Sequence, residues 1–571
     1  MPKSACSVQP FRCCALPCAA YATTEEEDPK DQVSICQRGY VSPRFDGPRS
    51  NGKRRPAYRA GSGPICRGDF SVAGSDRAGQ DRQDPTMTSA RKYGLWIGGR
   101  WVQPIKSEVL ERCSPSTSLP VASFSLAGPT DIDDAAAAAH SAFLKGAWSE
   151  LPGSARAKIL NRWADLIAAD LPRLARIEAD EAGKVISSAT SEIEWSVELI
   201  RYAASLAWNL PGRLVDSEGT GRMGLVSYEP YAVVALILPW NYPMVTLFQK
   251  LPYALAAGCS VVIKPSELTA GTTLECAVLA KQAGIPDGVI NVVPAVGETA
   301  GPAICDSPFI DMISFTGSTR VGRLIASRAM SKLKKVALEL GGKGANVVFA
   351  DADLEAALNG ALAGFTINQG EECCAAGRLF VEAPVFEEFV RKLTEKARRM
   401  RLGTPDDPDA SVGALIHKQH FDKVLGYIAG AEAEGARIVS GGNRPKDEAL
   451  AKGYFVEPTI LTGVTPEMTV FREEIFGPVV CVMPFETDDK AIELVNDTAY
   501  GLANGVWTSN LTRGLSFARK VKSGTVYVNA YLETLPQLPF GGMKESGIGR
   551  ENGSEGLLEF METKAVYVKL A

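Results

Sequence analysis

The chain of 571 residues carries 61 Lys and Arg against 66 Asp and Glu, a formal net charge of -5, with 45% apolar and 22% charged residues. That length supports two or three domains, the slight acidity speaks against a general nucleic-acid binder, and no apolar run approaches the roughly 20 residues of a membrane span. The 13 cysteines crowd into the first 70 residues or scatter singly, apart from the pair Cys373-Cys374, so they form no disulfide framework. With only His140, His417 and His420 in the chain, no zinc-ligand spacing is present, and the expectation is a cytoplasmic protein without a metal.

Residues 1–86 mix Cys13-Cys14, Glu25-Glu26-Glu27-Asp28 and Lys53-Arg54-Arg55 with many Gly, Pro, Ser and Arg, and hold no sustained period. Such a stretch is expected to be disordered. It lacks the apolar core of a secretory signal, and its acidic run argues against a mitochondrial presequence. Met87 precedes the recognisable domain, so the extension reads as a start-site artefact, with a redox-regulatory segment as the alternative.

Leu95 to Val102, turning at Gly98-Gly99, reads as a hairpin. Helical spacing of apolar residues follows over 131–143, 154–181 and 191–208. From Val233 the pattern alternates. Strands are expected to Trp240 and over 260–263, 289–293 and 311–315, with helices over 248–257, 272–283, 300–305 and 321–330. Repeated strand and helix turns predict a parallel sheet with helices on both faces, which binds dinucleotides at its C-terminal strand edge. A second α/β unit begins after Gly342, with strands over 345–349 and 378–381 and near Ile438 and Val479. Its helices are expected over 354–367, 385–400 and 418–434. The terminal 565–570 alternates like a half-exposed strand that needs a partner.

Three segments carry candidate chemistry. The polar turn 366–378 presents Cys373 and Cys374 after a helix, either of them a possible nucleophile. Glu339 stands among apolar residues just before Gly341-Gly342, where burial raises a carboxylate toward a usable base. Asn241 follows an apolar strand in the turn Pro239-Trp240-Asn241-Tyr242-Pro243, an uncharged donor suited to a developing oxyanion. No Gly-x-Gly-x-x-Gly occurs in the alternating region. Instead Phe315-Thr316-Gly317-Ser318 ends a strand ahead of a helix, so Gly317 and Ser318 can offer N–H groups and a hydroxyl to a pyrophosphate. Arg323 after Gly322 rules out a Walker A loop. Lys264, Ser266 and Glu267 lie just past a strand, where Glu267 would accept from ribose hydroxyls and repel a 2′-phosphate, favouring NAD over NADP.

These segments, together with Glu473-Glu474-Ile475-Phe476-Gly477-Pro478, resemble the aldehyde dehydrogenase superfamily in content and order from about Gly94 onward. The resemblance implies an α/β fold of a Rossmann-like NAD-binding domain (93–340, with an oligomerisation hairpin near 210–230), a catalytic domain (341–525) and a return segment with an oligomerisation strand (526–571). It implies NAD, a small-molecule aldehyde substrate, and a homodimer or homotetramer, with no membrane partner. By the motif's register the nucleophile is Cys373, ionised by local N–H groups and cofactor charge. Its oxyanion is held by Asn241 and the Cys373 N–H, and Glu339 activates the water that hydrolyses the thioester. Lys250 and Glu551 match positions that relay protons or shape the water path. Ile237, Trp240, Gly297 and Gly341 match the cofactor path, Glu474 the nicotinamide ribose and Phe476 the ring beside it. Arg320, Ala345 and Ala376-Gly377 depart from the usual pattern without removing a reacting group. Glu372 and Glu533, and the segment 539–547, suggest a cationic amino- or ammonio-aldehyde like that of betaine aldehyde dehydrogenases. The alternatives are a CoA-acylating semialdehyde dehydrogenase, against which Glu339 argues, and a family member retained without turnover.

Overall fold

Strand and helix alternate along the chain as the apolar runs predict, and they assemble into two mostly parallel sheets in a computed structural model that describes residues 90–106, 108–217 and 220–570. The expectations for residues 1–86 lie outside the described residues.

The first sheet has eight strands, and five of them are parallel neighbours in the order Lys335–Glu339, Met312–Thr316, Val233–Ile237, Ser260–Lys264, Ile290–Val292. The hairpin Leu95–Ile97 and Arg100–Val102 adds an antiparallel edge, with Gly98 and Gly99 at φ +61° and +74° in its turn. Val233–Ile237 and Ser260–Lys264 are buried throughout, and alternate residues serve opposite faces. Val234, Leu236, Val261 and Ile263 pack into one core, while Val233, Ala235, Ile237 and Val262 pack into another. Burial on both faces is why these strands read as continuous apolar runs.

Strand order reverses between Val233–Ile237 and Met312–Thr316. From the first, the chain proceeds outward in one direction through Ser260–Lys264, and from the second in the other through Lys335–Glu339. Ligands bind in the crevice at such a switch point. The register aligns Phe315 with Ile237, Ile237 with Lys264, and Thr316 with Glu339, so the turns bearing Asn241, Gly317, Ser266 and Gly341 all leave the same C-terminal edge.

The second sheet runs Arg437–Ser440, Thr459–Thr462, Val479–Phe485, Arg378–Glu382, Ala345–Val348, Ala503–Trp507, Thr525–Val528, all parallel except the first pair. It too is covered on both faces, with Val347 and Phe380 on one side and Val348, Leu379 and Val381 on the other.

Two local expectations are corrected. The helix expected over 154–181 divides into Gly153–Ala169 and Leu171–Ala182, because Pro172 cannot donate into a continuing helix. The helix expected over 248–257 likewise divides into Pro243–Phe248 and Leu251–Ala257, with Lys250 in the break ahead of Pro252. The terminal strand, Met561–Lys569, is paired within its own chain to Arg222–Pro230, which pairs in turn with Arg213–Ser217. Its outer edge stays open, since it is the border strand of that sheet.

Candidate active site

The turn that carries the two cysteines is built from strained backbone and held from several sides. Helix Leu354–Thr366 ends and the chain enters Asn368 and Gln369 at φ +48° each, then Gly370 at +75°. Left-handed φ at two non-glycine residues persists only where neighbours over-determine it. Asn368 Nδ2 donates to the backbone oxygens of Asn241 (2.9 Å) and Glu371 (3.1 Å), and Gln369 Nε2 to Glu371 Oε2 (2.9 Å). The other oxygen of Glu371 accepts the Ile416 N–H at 2.9 Å. A Cβ on Gly370 would sit 2.2 Å from the Gly477 carbonyl carbon, so only glycine lets the turn reach the segment that bears Phe476.

Cys373 emerges half-buried from this turn into a cavity of about 720 Å³. Asn241, Glu339 and Cys373 line that one cavity, together with Gly317, Glu474 and Phe476. Asn241 Nδ2 donates one hydrogen to the Glu371 carbonyl at 2.9 Å, which fixes the amide and leaves its second N–H for a ligand. Among the described residues the Cys373 N–H has no acceptor. The Gly pair after Glu339 is explained by crowding. A Cβ on Gly341 would meet Glu474 Oε2 at 2.5 Å, and one on Gly342 the Cys373 backbone oxygen at 2.3 Å.

The electrostatics of the cavity follow from its burial. Desolvation raises the Glu339 carboxyl to about 8, against the opposing pull of Lys250, Arg550 and the Gly542 N–H. Lys250 is fully buried and pushed down to about 7 by the same desolvation. It is ion-paired with Glu551, which lines the cavity while Lys250 stands behind the wall. The Cys373 thiol is held well above its usual range by its hydrogen bond with Cys374, by burial and by the Glu372 charge. The chain's own groups around the thiol therefore oppose its ionisation. Glu372, Cys373 and Cys374 also bring three ligand-type atoms within 4.8 Å of one another, with no histidine among them.

On the cofactor side, Trp240 and Phe476 meet edge to face, their ring centres 5.4 Å apart, and Phe476 stands at φ +62° with its carbonyl bonded to His420 Nε2 at 2.7 Å. Glu474 Oε1 accepts the Gly342 N–H at 2.8 Å, and burial raises that carboxyl to about 7. Trp240, Gly317, Ser318, Gly341, Glu474 and Phe476 all line the cavity. The Gly317 N–H, expected to face a phosphate, is instead bonded to the Glu339 carbonyl at 3.0 Å, as the strand register requires. Ser318 caps helix Thr319–Met330 and accepts from the Val321 N–H. Its hydroxyl proton and the remaining N–H groups of that helix end are the kind of donors that a helix N-terminus offers an anion. Ile237, Lys264, Ser266, Glu267 and Gly297 lie outside the cavity wall, although Ile237, Lys264, Ser266 and Glu267 share its strand edge. Lys264 and Glu267 are paired with each other at 2.9 Å, and Gly297 opens helix Gly297–Asp306.

These residues fit a dinucleotide. The cavity lies at the switch point, meets a helix N-terminus, and includes Thr316, whose buried hydroxyl has no partner among the described residues.

Sequence reasoning passed over a buried ionic cluster that sets the Asn241 turn. Lys184 lies between Glu192 and Glu178 and donates to the Asn241 backbone oxygen at 3.0 Å. Glu192 Oε1 accepts the Met244 and Val245 N–H groups at 3.1 Å, the first turn of the helix that follows. Trp195, Tyr242, His420 and Lys423 also line the cavity unannounced. Of the two carboxylates read as facing a cationic substrate, Glu372 lines the cavity. Glu533 is exposed and outside the wall, between Leu532 and Thr534, which line it.

The sequence pattern described as the aldehyde dehydrogenase family matches residues 101–566. Aldehyde dehydrogenase 1A1 of Gallus gallus is 41% identical over 479 residues, 83% of this chain and 93% of that protein. The crystal structure of an NAD-dependent aldehyde dehydrogenase from Sinorhizobium meliloti superposes with a TM-score of 0.83 at 39% identity, over 86% of this chain and 97% of that one. A betaine aldehyde dehydrogenase from Staphylococcus aureus in complex with NAD+ gives 0.82 at 36% identity, over 84% and 94%.

Proposed function

The chain belongs to the aldehyde dehydrogenase family, and from that membership we propose that it is an NAD-dependent enzyme oxidising a cationic aldehyde to its carboxylic acid through a covalent intermediate on Cys373. One observation carries the reading. Cys373, Asn241 and Glu339 line a single cavity with the groups that would hold a nicotinamide nucleotide, Gly317, Ser318, Glu474 and Phe476. NAD, when bound, supplies the hydride acceptor. Glu267, at the adjoining strand edge, is placed for the adenosine ribose.

The chain's own groups account for the remaining steps. Cys373 Sγ adds to the aldehyde carbon, and the oxygen of the resulting thiohemiacetal takes hydrogen bonds from the spare Asn241 N–H and the Cys373 N–H. Once the thioester has formed, Glu339 removes a proton from the water that cleaves it. A carboxyl raised to about 8 suits that task, since it can both accept and return a proton near neutrality. Lys250, itself ion-paired with Glu551, and Arg550 favour the charged form of Glu339 in the buried site. A CoA-acylating enzyme would have no use for this base.

The substrate class follows from the lining. Glu192 and Glu551 are already paired with Lys184 and Lys250, which leaves Glu339, Glu372 and Glu474 against Lys423 among the formally charged groups of the wall, and Trp195, Tyr242 and Tyr527 offer aromatic faces. Carboxylates with aromatic faces favour an ammonium group and disfavour an anionic semialdehyde. The exposed Leu214, Val215, Leu225, Val566 and Tyr567, on a three-stranded sheet with an open border, support a homodimer or homotetramer. NADH formation over a panel of aldehydes tests the proposal. Betaine aldehyde and aminoaldehydes are expected to be turned over in preference to succinic semialdehyde, with loss of turnover in Cys373→Ala. NADH formation by Cys373→Ala at the wild-type rate would reject it.

A further inference from the structure

A carboxylate stands against the nucleophile that the reaction as described leaves without a role. Glu372 Oε1 accepts from Cys373 Sγ at 3.4 Å and from the Cys374 N–H at 3.1 Å, and the Tyr242 hydroxyl is hydrogen-bonded to the same carboxylate. The backbone donor and the phenol fix the carboxylate independently of the thiol. Glu339, by contrast, makes no hydrogen bond to the thiol; it leaves the end of strand Lys335–Glu339 and faces Lys250, Arg550 and the Gly542 N–H. The other ionisable groups around the Glu372–Cys373 pair are Cys374 on the same turn, Lys250 and Tyr242 on the 241–250 segment, Glu192 on helix Ile186–Leu206, Tyr527 on strand Thr525–Val528, and Tyr531 just beyond it.

We infer that Glu372 is the proton acceptor for Cys373. As the sulfur attacks, the S–H bond breaks and its proton passes to Glu372 Oε1. The sulfur pair becomes the C–S bond, and the π pair of the carbonyl moves onto oxygen. When the thioester is cleaved, the departing thiolate takes the proton back. The transfer never puts two negative charges on the pair, because the one it starts with passes to the thiohemiacetal oxygen, whereas a bare thiolate would place a second negative charge against a desolvated carboxylate. A carboxylate already engaged by three donors serves the nucleophile before it serves a substrate cation. The inference rests on Cys373 being the nucleophile.

Alkylation of the full chain by iodoacetamide, without nucleotide, tests it from pH 5.5 to 10, with the modified cysteine located by peptide mass spectrometry. Wild type is expected to react at Cys373 on a limb set by the carboxylate and already present at neutral pH. Glu372→Gln keeps acceptors for the Cys374 N–H and the Tyr242 hydroxyl. It is expected to fall by about 10-fold or more at pH 7, yet to cross above wild type at the alkaline end, because its thiol ionises free of the neighbouring charge. In Glu372→Ala, added formate is expected to restore part of the neutral limb. A Glu372→Gln profile at or above wild type at every pH, with no rescue by formate, overturns the inference while leaving Cys373 as the nucleophile. Label on another cysteine, with Cys373 untouched, overturns both.

Discussion

Gly342→Ala tests whether the glycine pair is what seats the nucleophile. The added Cβ would lie 2.3 Å from the Cys373 backbone oxygen and 3.4 Å from Leu502 Cβ, so the two backbones must part by about 1 Å. Neither yields freely. Cys373 belongs to a turn held through Asn368, Gln369 and Glu371, and the Gly342 N–H is bonded to Glu474 at 2.8 Å. Overpacking of this kind costs about 1–3 kcal/mol, a fall in Tm of roughly 1–3 °C for a chain of this size. A shift of about 1 Å in a reacting group costs on the order of 100-fold in turnover. Because Glu474 moves with Gly342, KM for NAD is expected to rise as well. Initial rates of NADH formation and a thermal melt measure both effects. A variant within twofold of wild-type kcat and KM, with an unshifted melt, would refute the reasoning.

Glu339→Gln is expected to lower steady-state turnover by about 100- to 10,000-fold. It should also abolish the rise in kcat that wild type shows as pH passes the Glu339 value of about 8, read from a pH–rate profile. Glu267→Ser removes the charge that would repel a 2′-phosphate, so the ratio of kcat/KM for NADP to that for NAD is expected to rise about 10-fold or more. A ratio unchanged from wild type would detach Glu267 from the ribose. Glu371 is raised from its ordinary 4.5 to about 8 by burial, so between those values the folded chain binds a proton the unfolded chain has released, and stability falls as pH rises through that window. Glu371→Gln removes this dependence. Its Tm relative to wild type is expected to be more favourable at pH 8 than at pH 5, checked by melts at both.

The sheets were legible because strands buried on both faces must be apolar end to end, as in Val233–Ile237 and Ser260–Lys264. Cys373, Asn241 and Glu339 were legible because each stands in a turn at a strand or helix end, flanked by Gly or Pro. What escaped was non-local. Glu178, Lys184 and Glu192 look in sequence like ordinary surface charges, and only the packing of two helices beside the Asn241 turn buries them together. The pairing of Met561–Lys569 with Arg222–Pro230 joins segments more than 300 residues apart, and half-exposed alternation in one cannot name the other. The resistance of Cys373 to ionisation depends in part on where the Glu372 side chain turns, which adjacency alone leaves open.

The central claim is that Cys373 carries the acyl group. Glu339→Gln incubated with NAD and an accepted aldehyde, quenched in acid and digested, should yield the peptide spanning Cys373 and Cys374 heavier by one acyl group, with fragmentation placing it on Cys373. An acyl group on Cys374, or an unmodified peptide alongside stoichiometric NADH, would contradict the account.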